Sequence, residues 1–195
     1  MSTIAKQSDG VIQDTKKYII DTARHLFSEY SYLGVSMNDI AKKLNVTKAA
    51  LYYHFAGKTE IYAKVIDGVS NDLSLTITEA LNEITVDKKL HKLIRNYLDF
   101  GFKENNLIKA LMLKLSPADS EITKHIIQLR ERVASLIQPV IEEMSANKKL
   151  TGKVDSRLLT SMLTGMMDGL LLEHSFLNKK INSAKISDQI IAVLF

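Results

Sequence analysis

The sequence predicts an all-α protein of about nine helices, with an N-terminal three-helix head that carries a helix-turn-helix and a larger helical body behind it. Three observations predict this class. Apolar residues recur at intervals of three and four rather than two, the spacing of one helix face. Only two prolines and eight glycines punctuate the 195 residues. No alternating run is long enough for a useful strand, and no long-period self-similarity suggests a stacked repeat.

The elements follow in order. From Asp14 to about Tyr30, the residues Ile19, Ile20, Ala23, Leu26, Phe27 and Tyr30 fall on one face of an amphipathic first helix. A turn around Ser31 to Val35 ends it. Ser36 caps the next helix, Asp39 completes an arrangement like a capping box, and Met37, Ile40, Ala41 and Leu44 form the apolar face. Asn45 and Val46 make a tight connection, after which Thr47 caps a third helix with Ala50, Leu51 and Phe55 inward. Gly57 breaks the chain, and a long helix from Lys58 toward Ile84 links head to body. The head is expected over residues 1–57 and the body over 58–195, with helix 58–84 connecting them. Further helices are expected near Lys88 to Lys103, Asn106 to Leu115 and Ala118 to Ser145, with a stop at Ser116 and Pro117 and a kink at Pro139. Ala146 to Lys153 reads as a polar loop, followed by helices at about Asp155 to Leu177 and Ser183 to Leu194.

Bulk composition bounds the function. A hydrophobic fraction of 46% supplies a continuous core, and a net charge of +4 is compatible with a polyanion partner without establishing one. The absence of cysteine excludes disulfides, thiolate zinc sites and thiol nucleophiles. No segment reaches the 18 to 20 apolar residues of a membrane span and the N-terminus lacks a secretory signal, so a cytoplasmic protein that does not enter membranes is expected. Leu158 to Leu172, the most apolar stretch, carries Asp168, Gly165 and Gly169 and reads as a buried helix. No HExxH, GxSxG, P-loop or dinucleotide fingerprint occurs, and the five histidines are scattered. The expectation is no enzyme, no metal site and no cofactor.

Between Tyr18 and Val65 the chain reads YIIDTARHLFSEYSYLGVSMNDIAKKLNVTKAALYYHFAGKTEIYAKV. The Ala23 to Phe27 stretch, the Ser36 to Ala41 start, the Val46-Thr47 turn, and Leu51-Tyr52-Tyr53-His54-Phe55 followed by Lys58 stand in the order and spacing of a known family. The segment resembles the DNA-binding head of the TetR family of bacterial regulators. Two departures stand out, because Ser31 and Asn45 occupy positions where the family often has glycine.

A helix-turn-helix places the N-terminal part of its second helix in the major groove. Thr47, Lys48, Ala49, Tyr52 and Tyr53 are the residues left to project toward DNA, with His54 at the edge. The resemblance implies that Tyr53 and His54 touch the sugar-phosphate backbone and that Lys48, Ala49 and Tyr52 lie nearer the bases. Adjacent Tyr52 and Tyr53 point about 100° apart, so at least one is exposed. Ser36 and Lys58 each begin a helix and suit a phosphate, Lys58 more strongly. Lys42 and Lys43 read as a solvated face rather than as contacts.

In the penultimate helix, Leu158 and Leu170 lie on one apolar row, while Ser161, Gly165 and Gly169 form a row of small residues. Small residues at helix spacing suggest close approach by a second backbone, and these five are the candidate dimer-interface residues; a monomeric core helix is the alternative. The resemblance implies a dimer built on the last long helices and an effector pocket within the body. Tyr97, Phe100, Phe102, Met112, Met162 and Met166 are the pocket candidates, since aromatic and methionine side chains repack around varied apolar ligands, although such residues usually form core. Asp168, Glu173 and His174 are candidates to orient a ligand. The expected partners are double-stranded DNA as a palindromic operator, a second copy of the chain, and a small apolar or amphipathic effector. The expected function is a ligand-responsive repressor released from its operator by that effector. The alternative is a helical small-molecule-binding or interaction module without sequence-specific DNA binding.

Overall fold

A computed structural model describes residues 2–104, 107, 120–147, 155–177 and 182–194, with side chains described from residue 13 onward. These residues form eight helices and no strand: α1 (Ser2–Gly34), α2 (Met37–Leu44), α3 (Lys48–His54), α4 (Lys58–Leu81), α5 (Val86–Lys103), α6 (Ser120–Ala146), α7 (Ser156–Leu177) and α8 (Ser183–Leu194). The helix expected at Asn106 to Leu115, the stop at Ser116 and Pro117, and most of the loop before Asp155 lie outside the described residues.

α1 starts well before the expected Asp14, because the preceding stretch holds no proline and a single glycine to oppose a helix. It breaks at Ser31, whose backbone sits at φ 64° and ψ 169°. Tyr30, expected on the apolar face, is exposed, and beyond the break Tyr32 packs against the head core instead. Tyr32 then packs against Phe27 and Tyr62, with ring centroids 6.1 and 4.7 Å away, and Phe27 meets Tyr62 edge-on at 4.9 Å.

α2 begins as its sequence dictates. Asp39 N–H donates to Ser36 Oγ at 3.2 Å while Ser36 N–H and O–H donate to Asp39 Oδ2 at 2.9 and 2.6 Å, a complete capping box. It ends on Asn45, left-handed at φ 56° and ψ 41°, with Val46 N–H donating to the Ala41 carbonyl. Thr47 Oγ1 then accepts from Ala50 N–H and starts α3. Of the residues expected inward on α3, Leu51 and Phe55 are buried but Ala50 is exposed. A seven-residue helix presents one narrow row to the head, and the i, i+4 pair Leu51 and Phe55 fills it, leaving Ala50 about 100° away.

Two apolar cores organise the described residues. One gathers α1, α2, α3 and the first half of α4 (Ile61, Tyr62, Val65, Ile66 and Val69), with Leu107 and Ile122 against it. The other gathers the second half of α4 (Leu73, Ile77 and Ala80) with α5, α6, α7 and α8. The head core therefore extends past residue 57, and α4 belongs to both cores. Phe100 and Leu129 pack against both as well. At Gly101 a Cβ would collide with the Leu171 side chain, so glycine here lets α5 lie close against α7. Pro139 lies inside α6, which continues through it to Ala146. No helix among the described residues is long and apolar enough to cross a membrane.

Candidate functional site

Seated by Leu51 and Phe55, α3 turns its opposite face to solvent. Lys48, Ala49, Tyr52 and Tyr53 are all exposed, Tyr52 by 48% and Tyr53 by 77%, so both tyrosines face outward. Lys48 Nζ lies 5.7 Å from the Tyr52 ring centroid, and the Tyr53 ring meets His54 edge-on at 5.0 Å. His54 is half-buried, and its Nδ1 has no partner among the described residues. Thr47 uses its oxygen as the helix cap yet is exposed, which leaves its hydroxyl proton available to an acceptor.

Ser36 and Lys58 are placed differently from the α3 residues. Both donors of Ser36 go to Asp39, whose carboxylate those hydrogen bonds hold below the ordinary range. Ser36 thus begins its helix beside a negative charge. Lys58 Nζ donates to the Tyr32 carbonyl at 2.9 Å and lies 4.3 Å from the Tyr32 ring centroid, and Tyr32 Oη and Thr59 Oγ1 are 3.1 Å apart. The start of α4 is thereby tied to the turn after α1. Lys16, on α1, was not among the sequence candidates. It is exposed and lies 5.8 Å from the Phe55 ring centroid, at the end of α3. Only the fold brings it there.

Within the body lies a cavity of about 330 Å³. Val69 and Leu73 of α4 and Ile126, Leu129 and Val133 of α6 give it apolar walls. Its charged wall joins three helices. Tyr97 Oη of α5 donates to Asp168 Oδ1 of α7 at 2.5 Å, and Arg130 Nη2 of α6 contacts Asp168 Oδ2 at 2.8 Å. Tyr97 and Asp168 are buried, and Arg130, also lining the cavity, is half-exposed. Burial first, and then the Asp168 carboxylate, push the Tyr97 phenol well above its ordinary value, so it stays a donor.

Of the expected pocket residues, Tyr97 lines this cavity and Met112 lies outside the described residues. Phe100, Phe102 and Met166 pack against the apolar cores instead, Phe102 with its ring 4.6 Å from His174. Met162 is 44% exposed on the outer face of α7. Phe100, Phe102 and Met166 went where apolar area could be buried, and apart from Tyr97 the cavity wall was left to aliphatic and polar residues. Arg130 and Ser161 therefore escaped a search for aromatic and methionine lining.

The outer face of α7 carries Leu158, Ser161, Met162, Gly165 and Gly169, all exposed, with Phe176 further along. A Cβ at Gly165 or Gly169 would meet nothing within 4 Å. Leu170 instead packs partly buried against the body core. Four of the five expected interface residues thus share one open stripe, and Ser161 also reaches the cavity wall.

Comparison with known proteins agrees with this architecture. Residues 19–65 match the family of bacterial regulatory proteins of the tetR type, and residues 83–171 match the tetracyclin repressor-like C-terminal domain. The biofilm operon icaADBC HTH-type negative transcriptional regulator IcaR of Staphylococcus epidermidis is 35% identical over 118 residues, covering 58% of this chain and 62% of its own. The nucleoid occlusion factor SlmA of Haemophilus influenzae is 22% identical over 181 residues, covering 91% of this chain and 83% of its own. The solved fatty acid degradation regulator FadR from Bacillus halodurans superposes with a TM-score of 0.78 at 18% identity, over 91% of this chain and 93% of its own, a likeness of fold. With the head and the body each matched in order, the chain belongs to the TetR family of bacterial regulatory proteins.

Proposed function

We propose that the chain is a homodimeric repressor that reads a palindromic operator through α3 and leaves it when a small molecule occupies the body cavity. The observation that carries this reading is the outward face of α3. Lys48, Ala49, Tyr52 and Tyr53 stand exposed side by side on a helix whose only inward row is anchored in the head core. Exposed tyrosines and a lysine at the start of the second helix of a helix-turn-helix are groups that reach base edges and phosphates.

Release needs an effector with different affinities for the DNA-competent and incompetent arrangements. α4 supplies the lever, because its first half is core to the head, its second half is core to the body, and Val69 and Leu73 between them line the cavity. A shift of α4 changes the separation of two recognition helices, which must match one helical turn of DNA, about 34 Å, or a multiple. The exposed stripe of Leu158, Ser161, Gly165 and Gly169 on α7 supports pairing with a second copy.

The test is selection of retained sequences from a pool of random duplex DNA, repeated for Tyr53→Ala and Lys58→Ala. A two-fold symmetric site, lost in both variants and weakened by salt as counterion release requires, is the expected result. Weak binding without sequence preference at every salt concentration would refute the reading.

A further inference from the structure

We propose that the ligand of the body cavity is an amphipathic acid, its anionic head group held by Arg130 and its apolar part lying between α4 and α6. This rests on the cavity being the effector site, and it adds the chemical class. The apolar part follows from Val69, Leu73, Ile126, Leu129 and Val133, which offer hydrocarbon and no hydrogen bonds.

The head group follows from how the charged wall is already satisfied. Asp168 has both oxygens engaged, one by the Tyr97 hydroxyl and one by Arg130. Arg130 is engaged on one nitrogen: among the described residues its single polar contact is Nη2 to Asp168, and a guanidinium carries five N–H donors in a planar fork. Arg130 lines the cavity and is half-exposed, which leaves its remaining donors accessible to a ligand there. An anion adds to them as a second acceptor without breaking the Asp168 pair, and a charge-assisted hydrogen bond is about twice as strong as a neutral one. A cation meets the Arg130 charge first and reaches Asp168 only by displacing it. Asp168 and Glu131 both oppose an anion: the Asp168 charge is opposed by Arg130 in their 2.8 Å pair, and the field of exposed Glu131 is screened by water and salt as that of Arg130 also is, so the anion's gain is the direct contact with the guanidinium. Binding at Arg130 couples to the head, since the same ligand's apolar part presses on Val69 and Leu73 of α4.

The experiment is calorimetric titration of the full chain, free of DNA, with octanoate, 1-octanol and octylamine, three ligands sharing one tail. Octanoate is expected to saturate one site per chain, with octanol and octylamine each roughly tenfold weaker or more. Arg130→Met, which keeps the aliphatic stem, is expected to reduce octanoate to the level of octanol while leaving octanol unchanged, and the unchanged octanol affinity reports an intact cavity. Equal binding of octanoate and octanol, tightest binding of octylamine, no binding of octanoate, or an Arg130→Met variant that binds octanoate as before would each overturn the proposal. Failure of the regulator reading registers elsewhere, as loss of operator selection with these titrations intact.

Discussion

Ser31, at φ 64° and ψ 169°, occupies a region nearly reserved for glycine, where a side chain costs about 1–3 kcal/mol. Ser31→Gly is expected to stabilise the chain by about 1 kcal/mol, read as a rise in thermal midpoint, and an unchanged or lowered midpoint would show that the turn carries no such strain. The sequence marked this position, since Ser31 and Asn45 are where the family often has glycine and they are the two non-glycine residues with positive φ among those described. Asn45 bears its left-handed geometry at lower cost because asparagine tolerates it. At the other end of α2, hydrogen bonds from Ser36 lower the Asp39 carboxylate. A depressed carboxylate contributes stability above the ordinary carboxylate range and loses it as pH falls through its folded value, near and below about pH 4. Asp39→Asn should therefore flatten part of the acid limb of the stability profile, measured by denaturant unfolding between neutral and acid pH. The cap was legible because its partners are three residues apart, whereas Ala50 was misplaced because periodicity alone cannot say how wide a short helix's buried row is.

Among the elements, α4 bears the coupling, and an ion-pair bridge reinforces it. Arg24 of α1 reaches Asp72 of α4 at 2.6 Å and Glu104 at the end of α5 at 2.9 Å, holding head to body across both cores. Arg24→Met is expected to weaken operator binding several-fold by loosening the head's orientation while leaving α3 folded. Adding Asp72→Asn and Glu104→Gln should cost little more, because the three act as one unit. Operator titration of the single and combined variants checks this, and undiminished affinity in Arg24→Met would reduce the bridge to a local contact. Nothing in the sequence singled out Arg24, whose partners lie 48 and 80 residues away. The helices themselves were legible because the 3.6-residue period is local. Long-range pairing is not, and the same gap hid Lys16 beside α3 and Arg130 in the cavity lining.

Reading a palindromic operator needs two chains, one for each half-site. The small-residue row on α7 was visible as Ser161, Gly165 and Gly169, and the fold leaves that row open, while Leu170 turned inward because its own core offered more apolar contact. Gly165→Arg should fit the isolated chain, there being nothing within 4 Å of a Cβ at that position, yet prevent close approach of a second helix. Sedimentation is expected to show a dimer for the natural chain and a monomer for the variant, and a dimeric variant would place the interface elsewhere. Dimeric operator reading is tested most directly by the affinity of the chain for a selected duplex carrying two half-sites against one in which a single half-site is scrambled. Two chains bound per intact duplex, with affinity roughly a hundredfold or more above the single half-site, is the predicted result. Equal affinities, or one chain per intact duplex, would contradict a dimeric operator reader.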